Sequence, residues 1–299
     1  MQSDPFQPAT PLPSATIILV RQPADDFQVY LLRRRAGSGF MAGTFVFPGG
    51  LLEEVDRRAN FWLAHCDLEP AAVSERLGDK PGSEAVLAYG VAAIRETFEE
   101  AGVLLASGGQ RTPQTLDKLA ALRSSGRMPP DWLASEAAAN RLALSLSALR
   151  PWAHWVTPEA MHKRFETRFF TVRMPSEQQC RPDNIETVQG IWSTPEQALA
   201  GNLEGSIPLS PPALMTLHEM LSYADLPSFW NAARERAWDP VRMPRLVRDQ
   251  KVALILFPGD PDYDRPQVTI GRPQQNKLPV GKPFTRVWLA DGIWHPVGR

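Results

Sequence analysis

Apolar positions along the chain change their period several times, and each change marks an element. Residues 15–20 and 28–34 are apolar-rich runs on either side of a polar loop at 22–26, which predicts two strands opening a hairpin or meander. The period then becomes helical. Leu87, Val91, Ile94, Phe98 and Ala101 recur in steps of four, three, four and three, one face of an α-helix. Ser83 stands as its N-cap, Glu84 lies in the first turn where the helix dipole favours negative charge, and Gly102 is a left-handed terminator. Residues 113–123 predict another helix, striped by Leu116, Leu119 and Leu122, and the Ala/Leu-rich residues 128–150 predict two more helical pieces. Residues 152–157, 167–174 and 184–192 read as strands. Ser193 with Glu196 forms a capping box that opens a helix to Ala200, and Ser210 caps a second helix, with Pro211 at its first position, running to about Ser222. Beyond Pro227 the pattern predicts a helix over 228–236, then strands at 252–257, 267–271 and 284–289, with Asp291-Gly292 as a hairpin turn signal. The expected class is α/β: a flexible N-terminus (1–13), a main domain (14–226) and a small β-rich extension (227–299) packed on it.

The densest charge lies in the first of these helices. Arg95-Glu96-Thr97-Phe98-Glu99-Glu100-Ala101-Gly102-Val103 places three glutamates on little more than one turn, off the apolar stripe. Like charges at this spacing repel by roughly 0.2–0.5 kcal/mol a pair on an exposed helix, and by more as the dielectric falls. Glu96 and Glu100 are four apart and share a side; Glu99 stands four after Arg95, within reach of an ion pair. Such a cluster is either a solvated acidic face or a cation site. Upstream, Phe47-Pro48-Gly49-Gly50 closes a short strand over 44–47 with a sharp turn whose backbone approaches a ligand closely. A carbonyl in such a turn is a hard oxygen ligand of the kind that sits beside carboxylates.

Together the two segments resemble the Nudix hydrolase box: Gly, five residues, Glu, seven residues, Arg-Glu, an apolar residue, any residue, Glu-Glu, any residue, Gly, apolar. Arg95–Val103 matches its second half, with Thr97 where an aliphatic residue is usual. The first half starts at Gly50, with Glu53, Glu54 or Asp56 as its acid. Gly50 and Arg95 are 45 positions apart where the pattern has fourteen, so about 31 residues interrupt the box, in an insertion over 55–82. That interruption resembles the coenzyme A-cleaving Nudix group of animal peroxisomes and its bacterial relatives. Leu31-Leu32-Arg33-Arg34-Arg35-Ala36 followed by Gly43-Thr44-Phe45-Val46-Phe47-Pro48-Gly49-Gly50 is similar to that group's coenzyme A signature, departing from it where Arg33 replaces Thr and a second Arg is absent. The resemblance covers residues 14–225. It implies a Nudix α/β/α sandwich with a mixed sheet and helical insertions, and hydrolysis of a diphosphate bond in a nucleoside diphosphate derivative. The expected substrate is coenzyme A or acyl-coenzyme A, giving 3′,5′-ADP and a phosphopantetheine. An ADP-ribose or NADH pyrophosphatase and a catalytically silent nucleotide-binding protein stand as alternatives.

Composition narrows the classes. A formal net charge of −1 supplies no basic field for nucleic-acid binding. No apolar run is long enough for a transmembrane helix, and the polar, proline-rich first 13 residues lack the apolar core of a signal peptide. Two cysteines, Cys66 and Cys180, suit a reducing compartment. The cytoplasm is the expected location, and a homodimer stays open.

The resemblance assigns Mg²⁺ or Mn²⁺ to Glu96, Glu100 and the Gly50 carbonyl, with Glu99 a further ligand or orienter tied to Arg95. Hard oxygen ligands suit those ions. Glu186, in the strand before the capped helix, is an extra ligand or general base. For the substrate, Arg35 comes through the signature, Arg168 offers a forked donor to phosphate, and Phe45, with Phe40 and Met41, is a candidate wall for adenine, with core packing as its other role. Arg164 and Arg173 flank the same strand as Arg168. The five histidines show no metal-ligand spacing.

Overall fold

The structure is a computed structural model. It describes residues 7–24, 27–37, 41–78, 85–108, 113–238, 240–249, 252–269 and 276–299. In chain order the elements are β1 (Leu12–Arg21), β2 (Gln28–Arg34), β3 (Phe45–Val46), β4 (Gly49–Leu51), α1 (Ala59–Leu63), α2 (Pro70–Leu77), α3 (Ala85–Ala101), β5 (Ala106–Ser107), α4 (Pro113–Ser124) and α5 (Trp132–Asn140). There follow β6 (Ala143–Leu144), β7 (Arg150–Val156), β8 (Phe165–Arg173), β9 (Thr187–Ser193), α6 (Pro195–Glu204), α7 (Pro211–Met220), α8 (Leu226–Glu235), β10 (Arg245–Arg248), β11 (Ala253–Leu256), β12 (Arg286–Ala290) and β13 (Ile293–Pro296).

The central sheet is mixed, as expected. Its path runs β3-β2-β1-β8-β7, with β4 pairing β1 and β9 pairing β2. Only β1 and β8 run parallel within it, in register from Leu12↔Phe165 to Val20↔Arg173. Strand alternation sends Ala15, Ile17, Leu19, Tyr30 and Leu32 to one face, where α3 lies with Trp62, Leu77 and Leu133. Ile18, Val20, Val29 and Leu31 go to the other, against α6, α7, α8 and the second sheet. This is a three-layer α/β/α sandwich built from period-two strands. The second sheet, β10-β11-β12-β13, is antiparallel and sends Ile255, Val287 and Trp294 into the same core as Trp152 and Trp155. Among the described residues no helix is long and apolar enough to cross a membrane.

Local signals placed most elements well. Asp291 and Gly292 take φ of 51° and 77° and join Ala290 to Ile293, the two-residue hairpin that the dipeptide encodes. Ser210 caps α7 with Pro211 at its first position. The 128–150 stretch is helical in two pieces as expected, α5 and a 3₁₀ turn over Leu146–Ala148; between them Arg141 turns to φ 51° and Leu144 pairs with residues 65–67, through Leu144 N–H to His65 O at 2.8 Å and Asp67 N–H to Leu144 O at 3.0 Å. The corrections have physical causes. The strand expected from 184 starts at Thr187, because the Asp183 carboxylate accepts the Glu186 and Thr187 N–H groups and folds 184–186 into a turn. The capping box before α6 is Thr194 with Gln197, one residue later than Ser193 and Glu196, since Pro195 occupies the first helical position. Residues 267–269 form no strand, whereas β10 and β13 are strands the pattern had not marked. Gly49 and Gly50 are strand residues rather than a turn, with Gly50 opposite Ala15. Ser83, Glu84, Phe40 and Gly271 lie outside the described residues.

The interruption of the box packs as a lid of short helices over α3. Trp62 is fully buried and donates its indole N–H to the Val55 carbonyl at 2.8 Å, fixing α1 to the 3₁₀ turn Glu54–Arg57. Trp62→Ala should lower stability by about 3–5 kcal/mol, as large-to-small changes in a filled core do; a denaturant titration with unchanged midpoint would show that the insertion is not part of the core.

Candidate active site

Helix α3 is buried on nearly every side because the sheet lies beneath it and the insertion lies over it. The glutamates therefore do not sit on a solvated face. Glu100 is 5 % exposed and Arg95 is 1 % exposed. Thr97, where an aliphatic residue is usual, is fully buried and turns its hydroxyl back to the Ala93 carbonyl at 2.7 Å, so it adds no unpaired polar group.

Arg95 organises the centre. Its Nε donates to Asp56 Oδ1 at 3.1 Å and Nη2 to Asp56 Oδ2 at 2.9 Å, a bidentate pair. Nη2 also reaches the Leu51 carbonyl at 2.8 Å, and Nη1 reaches Glu96 Oε1 at 2.9 Å and Glu99 Oε2 at 3.3 Å. Burial alone would lower the Arg95 pKa; its hydrogen bonds to Asp56 and the charges of Glu96, Asp56 and Glu99 outweigh it and raise it. Asp56 is in turn oriented by the Glu53 backbone N–H at 2.8 Å. Of the three acids weighed for the first half of the box, Asp56 is therefore the one that enters the centre; Glu54 is exposed and pairs loosely with Arg57.

The paired glycines of β4 have separate reasons. A Cβ at Gly49 would lie 2.3 Å from the Ala15 carbonyl oxygen of the neighbouring strand, and a Cβ at Gly50 would lie 2.4 Å from the Glu96 carboxylate carbon. The Gly49 N–H donates to Glu100 Oε2 at 2.9 Å. The strand is thus pressed against two carboxylates of α3, across 50 or so positions of chain.

The charge balance is unfavourable as it stands. Asp56, Glu96 and Glu99 share one guanidinium, and Glu100 has a single backbone donor. Burial pushes Glu96 from 4.5 up to about 7, with Arg95 opposing and Glu99 adding to the shift. Burial and the Glu96 charge hold Glu100 well above its ordinary value, against the Gly49 N–H and the charge of Arg34. Glu99 is raised by burial, against Arg95 and a hydrogen bond from Trp132. Clustered, strongly shifted carboxylates are a mark of functional sites. A set of hard oxygens with surplus negative charge fits a divalent cation. Among the described residues, no three acidic, histidine or cysteine side chains converge on one point at ligand distance; here they are held by Arg95, Trp132 and the Gly49 amide.

Other candidates separate by place. Glu186 is exposed on the loop before β9, and its charge adds to the raised pKa of Glu100. Its carbonyl accepts the Arg35 backbone N–H at 2.9 Å, and the Arg35 guanidinium donates to the Asn184 carbonyl at 2.9 Å, so Arg35 and Glu186 dock together beside the glutamates. Arg168 lies over the rings of Tyr89 (4.7 Å) and Trp238 (5.3 Å), on a strand separated from β4 by β1. Phe45 is corrected: it is 1 % exposed in the core on the opposite face of the sheet, where it packs and does not line a pocket. Sequence reasoning missed two residues. Arg123 of α4 donates to the carbonyls of Glu99 (2.7 Å), Glu100 (2.8 Å) and Arg181 (2.6 Å), closing the C-terminus of α3 where Gly102 turns at φ 73°. Trp132 of α5 donates its indole N–H to Glu99 Oε1 at 2.6 Å. Neither carried a local signal.

A family model described as the NUDT19 Nudix domain matches residues 8–220. The chain belongs to the Nudix hydrolase family. The human acyl-coenzyme A diphosphatase NUDT19 is 28% identical, covering 89% of this chain and 81% of its own; the Gallus gallus protein of the same description is 31% identical over 80% and 75%. The fold matches a crystal structure of a NUDIX hydrolase from Alicyclobacillus acidocaldarius with a TM-score of 0.60 and 24% identity, covering 77% of this chain and 99% of that one. Against the Nudix pattern the geometry settles the interruption. Five residues separate Gly50 from Asp56, the spacing the pattern has before its first acid, so the first half of the box is whole with Asp in place of Glu. The extra residues all fall between Asp56 and Arg95, and Asp56 still meets Arg95.

Two predictions follow from this geometry. Gly50→Ala should fold, because the side-chain end of Glu96 is free to swing, but the displaced carboxylate should weaken Mn²⁺ binding about tenfold or more, read by calorimetry; unaltered affinity would remove Glu96 from the cation site. In chelator-treated protein, the raised carboxylate pKa values mean that the folded state holds protons the unfolded chain releases. The stabilisation is therefore complete below about pH 4.5 and is lost as pH rises through about 7. The melting temperature of the metal-free protein should fall over that window, and added Mg²⁺ should restore it most at the alkaline end.

Proposed function

We propose that this Nudix hydrolase cleaves the diphosphate of coenzyme A or acyl-coenzyme A, with Mg²⁺ or Mn²⁺ as cofactor, giving 3′,5′-ADP and (acyl)phosphopantetheine. The observation that carries the reading is the buried carboxylate set of α3 pressed on the Gly49-Gly50 strand with too little positive charge to balance it. The substrate class is supported by relatives described as acyl-coenzyme A diphosphatases at 28–31% identity over most of both chains, and by the Leu31–Ala36 and Gly43–Gly50 segments.

Glu96, Glu99, Glu100 and the Gly50 carbonyl would hold the cation, which supplies charge neutralisation at the diphosphate and a bound water of lowered pKa. The chain's own groups do the rest. Arg95 fixes Glu96 and Glu99 from behind, so the carboxylates are set before substrate arrives. Arg35, just after β2 and hydrogen-bonded to the loop that carries Glu186, presents a fork to the nucleotide phosphates; Arg168, stacked on Tyr89, is the weaker claimant. Water attacks one phosphorus, a new P–O bond forms, the bridging P–O bond breaks and the leaving phosphate departs with its electrons. The water's proton goes to a carboxylate. Glu186, exposed beside the cluster and not committed to the cation, is the candidate base.

Incubation with coenzyme A, an acyl-coenzyme A, NADH and ADP-ribose, each with Mg²⁺ and with Mn²⁺, decides the substrate. The first two should be cleaved with the highest kcat/KM, and absence of 3′,5′-ADP from coenzyme A would overturn the assignment. Glu100→Gln should reduce turnover by more than the roughly 10–100-fold that losing a metal ligand's outer partner costs. Undiminished hydrolysis by that variant would take Glu100 out of the site.

A further inference from the structure

The geometry points to Trp132 as a positioning residue for hydrolysis, acting through Glu99 from a helical segment outside the Nudix box. The inference rests on the cation reading above and extends it to residues that no box motif includes.

Glu99 is the one glutamate of the cluster whose two oxygens are held by two different side chains. Arg95 donates to Oε2 at 3.3 Å and the Trp132 indole N–H donates to Oε1 at 2.6 Å. The second is the shorter contact, and its geometry is rigidly set. Trp132 is 2 % exposed, and its ring packs on Phe98, the residue next to Glu99, with centroids 4.8 Å apart. Phe98 and Leu133 belong to the same core, so α5 is seated on the face of α3 that carries Glu99. The preceding helix reinforces this: Arg123 of α4 takes the backbone carbonyls of Glu99 and Glu100 themselves. The α4–α5 segment thus grips Glu99 at both its backbone and its carboxylate, 33 positions away in sequence for Trp132 and 24 for Arg123.

An indole N–H has one hydrogen and no charge. Donated to a buried carboxylate, it favours the ionised form and fixes the plane of the group without neutralising it. It leaves lone pairs on both oxygens for a cation, which a second salt bridge would compete for. Arginine alone, reaching Glu99 at 3.3 Å while engaged with Asp56, Glu96 and Leu51, would leave that plane loosely defined. Outer partners of this kind typically change metal affinity 10–100-fold when removed.

Trp132→Phe keeps an aromatic ring against Phe98 and removes the donor together with part of the ring's volume, which the Phe98→Leu packing control accounts for. It should raise the Mn²⁺ Kd about tenfold and lower kcat by a similar factor at saturating metal, with the substrate KM within about twofold. Phe98→Leu is the packing control: it loosens the same stack but keeps the N–H, so it should lower the melting temperature and leave the Mn²⁺ Kd nearly unchanged. Wild-type Kd and kcat in Trp132→Phe, or an equal loss of affinity in Phe98→Leu, would overturn the inference. A measurement on the unmutated chain guards against a variant that does not fold. Of the nine tryptophan indole N–H resonances in ¹⁵N-tryptophan-labelled protein, one should shift as Mg²⁺ is added, and none responding would equally overturn it. If the wild-type protein itself binds no Mn²⁺ or Mg²⁺, the cation reading fails; if it binds and Trp132→Phe binds as well, only the role of Trp132 fails.

Discussion

One guanidinium holds this active site together. Arg95 is almost wholly buried, yet it meets the Asp56 carboxylate, the Leu51 carbonyl, Glu96 and Glu99 at once. Its planar fork makes that possible, since five N–H groups leave in fixed directions and an ammonium could not span the same set. A buried ion pair is weak evidence of net stability, but removing one member leaves an uncompensated charge, at a cost of roughly 3–5 kcal/mol. The constraint therefore runs outward. The turn at 54–57 must present Asp56, strand β4 must bring the Leu51 carbonyl, and α3 must lie at the height that lets Glu96 and Glu99 reach the same group.

That requirement explains how the chain tolerates an interrupted box. The extra residues enter after Asp56 and leave before Arg95, so both ends of the break are tied by the very pair the box normally makes through a short loop. Loop closure over a longer segment adds little entropy cost, about 0.6 kcal/mol for each doubling of length. The added helices are offset by burial of their own: Trp62 and Leu77 are fully buried, and Gly90 of α3 lies close under Leu77 and Leu146. The insertion becomes cover for α3, which turns a helix with three glutamates into a buried one and produces the raised carboxylate pKa values.

What was legible in the sequence was what local chemistry dictates. The alternation of β1 and β2, the 3–4 period of α3, Gly102 as terminator and the Asp291-Gly292 hairpin are each set by residues within a few positions of one another. Glu96, Glu99, Glu100 and Gly50 could be named because the box is local in two pieces. The rest depends on distant partners. Ala143–Leu144 leave the helical pattern for a short strand that meets residues 65–67, a contact with no sequence signature. Phe45 stands open in the sequence between a pocket wall and the core, and alternation along β3 turns it into the core on the opposite face. Asp56 was one of three equal acids until Arg95 chose it. Trp132 and Arg123 look like ordinary members of amphipathic helices, and only the packing of α4 and α5 on α3 gives them their partners.

The same packing makes the site costly when empty of charge and useful when filled. Four acids around one arginine cannot all ionise at low dielectric without penalty, which is why protons are retained into the neutral range. A scaffold selected for stability alone would replace Glu96 or Glu100 with an apolar residue of similar volume. This one instead ties all three carboxylates to partners: Glu100 to the Gly49 amide, Glu96 to Arg95, and Glu99 to an arginine on one oxygen and a tryptophan on the other. Carboxylates each tied to a fixed partner lose little further freedom when they are used, which is what preorganised electrostatics demands. A dication bound there would relieve the acids' mutual repulsions together, which is how an unfavourable charge balance can favour one.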